Sequence, residues 1–192
     1  MMYYVKLLPL LLLGAVCAVS AQTMAPEIVW QEVYKKYSHS DITSVLQTFK
    51  GDFVVVGTTQ SSSNHSPDIW IGKVGSKGNL LWEHTIIDEN DIYAHKLIAT
   101  AEGGYVVLAS IYAVEENTNK TRCRTYFFKT DQNGTVQWDK TLASQAYAWE
   151  EAKVIINTKD NGFLLAGFVK TTHLSKRKIC WVAKTDERGN LL

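Results

Sequence analysis

The chain has 192 residues, 46% of them hydrophobic, 20% charged and 11% aromatic, with a formal net charge of +1. That composition excludes the disordered, collagenous and low-complexity classes, which lack this apolar content or carry a strong compositional bias. A near-neutral chain of pI 7.7 also excludes a polybasic surface for nucleic acid or anionic lipid.

Residues 1–21, MMYYVKLLPLLLLGAVCAVSA, set one cation, Lys6, before an apolar run from Leu7 to Val19. Val19-Ser20-Ala21 supplies small or apolar residues at the positions a signal peptidase reads. The segment is expected to be a secretory signal peptide cleaved before Gln22, since a spanning helix needs about 20 apolar residues. No other long apolar run follows, so stable membrane insertion is not expected. Export leaves Cys123 and Cys180. They fall on separate expected strands, out of register with one another, and are expected to stay unpaired.

Next in chain order comes Glu27-Ile28-Val29-Trp30-Gln31-Glu32-Val33-Tyr34, which is similar to Asn79-Leu80-Leu81-Trp82-Glu83-His84-Thr85-Ile86. It reads as a lone copy of the last strand of a repeat. The repeat itself opens on Gly-Asp-Phe-Val-Val-Val-Gly at 51–57, Gly-Gly-Tyr-Val-Val-Leu-Ala at 103–109 and Asn-Gly-Phe-Leu-Leu-Ala-Gly at 161–167. A second block follows: Ile69-Trp70-Ile71-Gly72-Lys73, Thr125-Tyr126-Phe127-Phe128-Lys129 and Cys180-Trp181-Val182-Ala183-Lys184. Each lysine leads into a glycine turn, and the first two turns lead to Trp82 and Trp138.

Each unit is expected to hold four short strands. Strand a spans 42–48, 94–100 or 152–158, and strand b spans 52–58, 104–111 or 162–169. Strand c spans 68–74, 124–130 or 179–185, and strand d spans 79–86, 135–142 or begins at 190. β-branched and aromatic residues separated by Gly or Asn-Gly carry this reading, and Asn133-Gly134 reads as a tight primed hairpin turn. Four strands in about 50 residues, in tandem, is the arithmetic of a β-propeller blade. The expected fold is all-β and propeller-like: blades at about 41–86, 93–142 and 151–192, a spare strand at 27–34, and one domain over 22–192. Trp82 and Trp138 are expected to be buried at equivalent positions between blades. Rings typically take 4–8 blades. Three repeats read as an incomplete ring: a fragment, a truncated form, or a chain whose copies self-associate.

The run Thr-x-x-Gly-Gly-Tyr-Val-Val, followed by Trp-Ile-x-Lys-x-x-x-x-Gly-Asn-Leu-x-Trp, resembles the tandem propeller-type repeats of secreted bacterial proteins. The resemblance covers nearly all of 27–192. It implies an exported propeller, and it specifies fold better than activity. A fainter resemblance is to quinoprotein propeller blades, through Asp131 to Trp138.

No serine-nucleophile elbow, phosphate loop or zinc spacing occurs. Asp131-x-Asn133-Gly134 has the opening of a calcium loop without its downstream acid, and a hairpin turn accounts for it. The histidines at 39, 65, 84, 95 and 173 are scattered over the repeat. The recurring Lys73, Lys129 and Lys184 read as strand-end charges facing outward. No cofactor or metal is expected. The b–c loops (59–67, 112–123, 170–178) and d–a loops (37–41, 87–93, 143–151) differ in length and share one face, which is where a rigid scaffold carries binding residues. Acids gather there, at 88, 89, 91, 115, 116, 150 and 151. Tyr147 and Trp149 form an aromatic pair outside the repeat pattern. The candidate binding residues are therefore Asp88, Asp91, Tyr147, Trp149 and Glu150. Two functions fit: a non-catalytic exported module that binds or scaffolds a protein or glycan ligand, and part of a propeller-fold enzyme acting on glycans. Strand a, expected to line a central channel, carries no acid over 42–48, which weighs against the enzyme.

Overall fold

A computed structural model describes residues 27–34, 40–60, 66–115, 118–144 and 146–192. The segment 1–21 expected to be a signal peptide, His39, His65 and Glu116 lie outside them. Within the described residues the fold is all-β. Eleven strands run β1 (Ser40–Gln47), β2 (Phe53–Thr59), β3 (Asp68–Val74), β4 (Leu80–Ile86), β5 (Asp91–Ala99), β6 (Tyr105–Glu115), β7 (Lys120–Thr130), β8 (Val136–Leu142), β9 (Trp149–Asn157), β10 (Phe163–Lys170) and β11 (Ile179–Thr185). Strands β1 to β4 form an antiparallel sheet in chain order. The rest form a larger mixed sheet ordered β11-β10-β9-β7-β6-β5, with β8 on the outer side of β7. The first expected repeat is thus the four-stranded sheet, and the strands of the second and third lie together in the larger one. The joint between β7 and β9 is a single parallel pair, Cys123 with Trp149. Beside it, Thr125 Oγ1 accepts the Ala152 N–H at 2.8 Å and donates to the Glu150 carbonyl at 3.2 Å.

The turns explain the glycine spacing. In three hairpins a backbone N–H–O bond closes the loop: Gly75 to Asn79, Asp131 to Thr135 and Asp186 to Asn190. Gly78, Gly134 and Gly189 take φ of +88°, +82° and +77°, a region that strains any residue with a Cβ. Each of these hairpins is a turn followed by a left-handed glycine, not the two-residue primed turn expected, and Asn133 keeps a negative φ. The Asp131 carboxylate accepts the N–H groups of Asn133 and Thr135, and Asp186 does the same for Arg188 and Asn190. That lock accounts for the Asp-x-x-Gly spacing without a metal.

Packing follows from strand alternation. Val54, Val56, Ile69 and Ile71 pack with Ile92, Leu97, Tyr105, Val107 and Phe128. Val106, Leu108 and Phe127 pack in the same way with Ile155, Phe163, Leu165 and Ala183. A fully buried Val, Ile, Leu or Phe contributes about 1.5–3 kcal/mol. The repeated ion pairs Lys73–Asp52, Lys129–Glu102 and Lys184–Asp160 contribute about 0–1 kcal/mol each. The faces, not the charges, hold the sheets together. The lysines point to acids in the neighbouring turns and are half-buried.

Four sequence expectations change. Residues 27–34 form no strand; Trp30 and Tyr34 instead dock on the first sheet, ring to ring with Phe53 and Trp70. Trp82 and Trp138 are half-buried, because they lie on outer strands whose rings cover glycine turns. Strands β1, β5 and β9 start two to three residues earlier than expected, so Asp41, Asp91, Trp149 and Glu150 lie on strands. The 112–123 loop is mostly paired strand, with β6 and β7 in register to Glu115–Lys120. In the last two cases backbone pairing runs on through polar residues, since the ladder needs N–H and C=O groups and not apolar side chains. Among the described residues Cys123 and Cys180 are free, as expected; Cys123 is buried and Cys180 exposed.

Candidate functional site

The first strand of each repeat carries the same irregularity. The register slips at Thr43 between β1 and β2, at His95 between β5 and β6, and at Lys153 between β9 and β10. A bulge re-aims its extra side chain. Here it turns His95 and Lys153 toward one carboxylate, Glu151. Glu151 is 5% exposed. Its Oε1 accepts from the Lys153 ammonium at 2.5 Å, Ser110 Oγ at 3.4 Å and the Tyr112 hydroxyl at 3.5 Å. Its Oε2 accepts the Trp149 indole N–H at 2.9 Å. His95 Nε2 lies 2.7 Å from Ser110 Oγ and 3.7 Å from Glu151 Oε1.

Burial alone would raise the Glu151 pKa. The hydrogen bonds from Lys153 and Trp149, with the charges of Lys153 and His95, outweigh it and hold the carboxyl below its ordinary value. Burial pushes the His95 pKa down, Lys153 adds to that, and Glu151 opposes it. Cys123 is pushed up to about 12, first by burial and then by the Glu151 charge. It is an inert buried thiol.

Serine, histidine and carboxylate stand together here, yet they do not form a hydrolytic relay. Ser110 and Glu151 approach the same ring nitrogen, whereas a relay needs the carboxylate on the opposite one. Ser110 Oγ also belongs to a residue with no exposed surface. The cluster fixes geometry instead. Its rings form a ladder: Tyr93 against Tyr112 at 5.2 Å and Tyr112 against Trp149 at 5.5 Å, with Lys170 Nζ 4.8 Å from the Trp149 centroid.

In front of this cluster lies an open cleft of about 480 Å³, lined by Asp41, Thr43, Thr58, Asp91, Tyr93, Ala94, His95, Tyr112 and Thr121. No lysine or arginine is among these lining residues. Tyr93 is 37% exposed. Asp41, Thr58 and Tyr93 also wall an adjoining depression toward Pro67. The cleft thus offers two carboxylates, threonine hydroxyls and one exposed ring on a rigid base.

Of the residues singled out in the sequence, Asp91 lines this cleft and Trp149 backs it through Tyr112. The other three are placed elsewhere. Asp88 accepts the Asn90 N–H and side-chain amide, both at 2.9 Å, and closes the turn before β5. Glu150 is 3% exposed and accepts the Ser144 N–H at 2.9 Å. The Tyr147 carbonyl accepts from the buried Arg124 at 3.0 Å. His95, Ser110, Tyr112 and Asp41 were not singled out. The signal for His95 was the repeat column Thr43, His95, Lys153, one polar residue at the same offset in every unit. Among the described residues no group of three or more metal-ligating side chains converges, and no helix is long and apolar enough to cross a membrane. No protein-family model and no curated protein matches the chain.

Proposed function

We propose that the chain is an exported, non-catalytic binding module of the tandem propeller-repeat type, with its repeats as successive blades and its ligand seated in the cleft at the Asp41–Asp91–Tyr93 face. The signal-like segment at 1–21 supports export. The repeated tryptophan-on-glycine packing supports blades. The observation that carries the binding role is the pairing of two carboxylates with an exposed tyrosine in a cleft whose lining holds no lysine or arginine. That chemistry suits a cationic group: an amine or guanidinium of a partner protein, held by charge and by the tyrosine face. The cluster of His95 and Lys153 around the buried Glu151 is the support that keeps Tyr112 and the bulged strands in place.

Titration of the exported protein with a lysine- and arginine-rich peptide, followed by tryptophan and tyrosine fluorescence, tests this reading. Binding should weaken with added salt and fall about tenfold or more in Asp41→Asn/Asp91→Asn, as expected for two lost charge-assisted contacts. Saturable binding of a neutral oligosaccharide with no response to the peptide would overturn the cationic ligand.

A further inference from the structure

The near-neutral total of the chain conceals a separation of charge. Between residues 161 and 185 there is no Asp or Glu. The loop between β10 and β11 lies in that stretch and brings Lys170, Lys176, Arg177 and Lys178 together. The last three are exposed. The loop is braced from within. The Ser175 N–H donates to the Thr172 carbonyl at 3.2 Å, and Ser175 Oγ accepts the Arg177 N–H at 3.2 Å. Two of its cations are held on rings: Lys178 Nζ lies 4.0 Å from the Phe168 centroid and Lys170 Nζ 4.8 Å from that of Trp149. Lys120, which opens β7, shares a depression with this loop. The nearby Glu115 carboxylate is taken by Arg122 and Thr118. Among the described residues Lys120, Lys176 and Arg177 enter no ion pair.

This loop and the Asp41–Asp91 cleft are the two ends of one groove. Lys120, Thr121, Thr172, His173 and Leu174 line the depression, which is open and of about 390 Å³. Thr121 also lines the cleft of Asp91, Tyr93 and Tyr112. That cleft in turn shares Asp41, Thr58 and Tyr93 with the depression toward Pro67. The lining therefore runs without a break from the first repeat to the third, and its character changes on the way. Asp41 and Asp91 mark one end, and among the described residues neither enters an ion pair. Hydroxyls and rings, those of Thr58, Tyr93, Tyr112 and Thr121, fill the middle. Cations mark the far end, together with the Leu174 side chain, which is 95% exposed.

From this we infer that the groove takes an extended polypeptide segment of another protein, one that carries cations at one end and carboxylates at the other. The inference rests on the cationic reading of the Asp41–Asp91 cleft and adds to it the charge order of the partner. Charge complementarity selects the occupant. A nucleic acid, an acidic polysaccharide or an anionic lipid surface would satisfy the basic end and leave the two aspartates facing like charge. Lysine and glutamate side chains, by contrast, share one polypeptide. Complementary charge at two separated points fixes the register of the segment, since in a shifted or reversed placement like charges meet. The hydroxyls between the ends suit its backbone N–H and C=O groups, and Leu174 offers its acidic end an apolar contact.

Fluorescence anisotropy with labelled peptides tests this: a lysine block, a glutamate block, and the two joined through neutral spacers of graded length. At the spacer length that spans the groove, the joined peptide should bind about tenfold or more tighter than either block. Lys176→Glu/Arg177→Glu, at two exposed positions, should remove that gain and should not weaken the lysine block alone. Asp41→Asn/Asp91→Asn should remove the gain from the other end and should not weaken the glutamate block. A lysine block that binds through the aspartates, with no gain at any spacer length, overturns the two-ended partner and leaves the cationic cleft standing. A lysine block that does not bind overturns both. Polygalacturonate or phosphatidylserine vesicles held through Lys176 and Arg177, with no response to the joined peptide, would also overturn the inference, in favour of a purely anionic ligand.

Discussion

The ring of Trp82 lies over Gly134, so close that a Cβ at Gly134 would stand 2.6 Å from Trp82 Cζ3. Gly189 stands in the same relation to Trp138, and Gly78 to Trp30. Each glycine meets two demands, a positive φ and the absence of a side chain under an indole. The residue two places after each tryptophan joins the contact: Glu32, His84 and Lys140. His84 Nε2 also donates to the Asn133 carbonyl at 2.9 Å.

Gly134→Ala and Gly103→Ala separate those two demands. Gly103 has φ +90° and nothing within 4 Å of its Cβ position. Gly103→Ala should cost about 1–2 kcal/mol from backbone strain alone. Gly134→Ala should cost about 1–2 kcal/mol more, because Trp82 must also move. Urea unfolding of the two variants measures the difference. Equal losses would remove the indole from the argument.

Trp138 touches Phe127 edge-on at 5.6 Å and Phe163 at 6.0 Å. It is half-buried, so Trp138→Ala should cost about 2–3 kcal/mol, at or below the low end of the 3–5 kcal/mol of a fully buried tryptophan. Trp82→Ala should behave alike. Denaturant melts with less than half a kcal/mol of loss would break the equivalence of these positions.

Glu151 is the shared acceptor of Ser110, Tyr112, Trp149 and Lys153. Glu151→Ala leaves the half-buried Tyr112 and Trp149 donors without this acceptor, while the exposed Lys153 ammonium stays solvated, and should cost about 2–3 kcal/mol. Glu151→Gln keeps a carbonyl and should cost less. Thermal melts of both, with near-ultraviolet circular dichroism to follow Tyr112 and Trp149, check the order. If the alanine variant is the more stable of the two, the cluster has no supporting role.

His95 has a lowered pKa in the fold, first from burial. Its neutral form is favoured when folded, so the unfolded chain binds more protons below the ordinary histidine pKa of about 6.5. Stability from this group is present above that pH and is lost as pH falls through the folded value. Glu151, also lowered, loses its contribution only in the carboxylate range, below about 4.3. Unfolding free energy should therefore fall between pH 7.5 and 5.5, and His95→Gln should flatten that fall. An unchanged slope in the variant would show that other groups carry it.

The residues alone reached further for the local elements than for their arrangement. The strands, the turns and their threefold recurrence were legible because each depends on local chemistry: alternation for a half-buried strand, and glycine where φ must be positive. The free state of Cys123 and Cys180 was legible for the same reason, from their mismatched register. The cleft was legible only in part. Asp91 lines the cleft and Trp149 backs it, but Asp88 and Glu150 are turned to nearby backbone N–H groups, and Tyr147 meets Arg124 through its carbonyl, which no spacing announces. Strand ends also escaped sequence reading, because backbone pairing continues past the last apolar residue. Tertiary structure alone decided that His95, Ser110 and Lys153 meet at Glu151. Lys153 is two positions from Glu151, but His95 and Ser110 are 56 and 41 away, and only the bulges and the side-by-side packing of β5 and β9 bring them together. It likewise decided that Trp30 docks without a strand, since a segment with strand sequence still needs a free sheet edge to pair with.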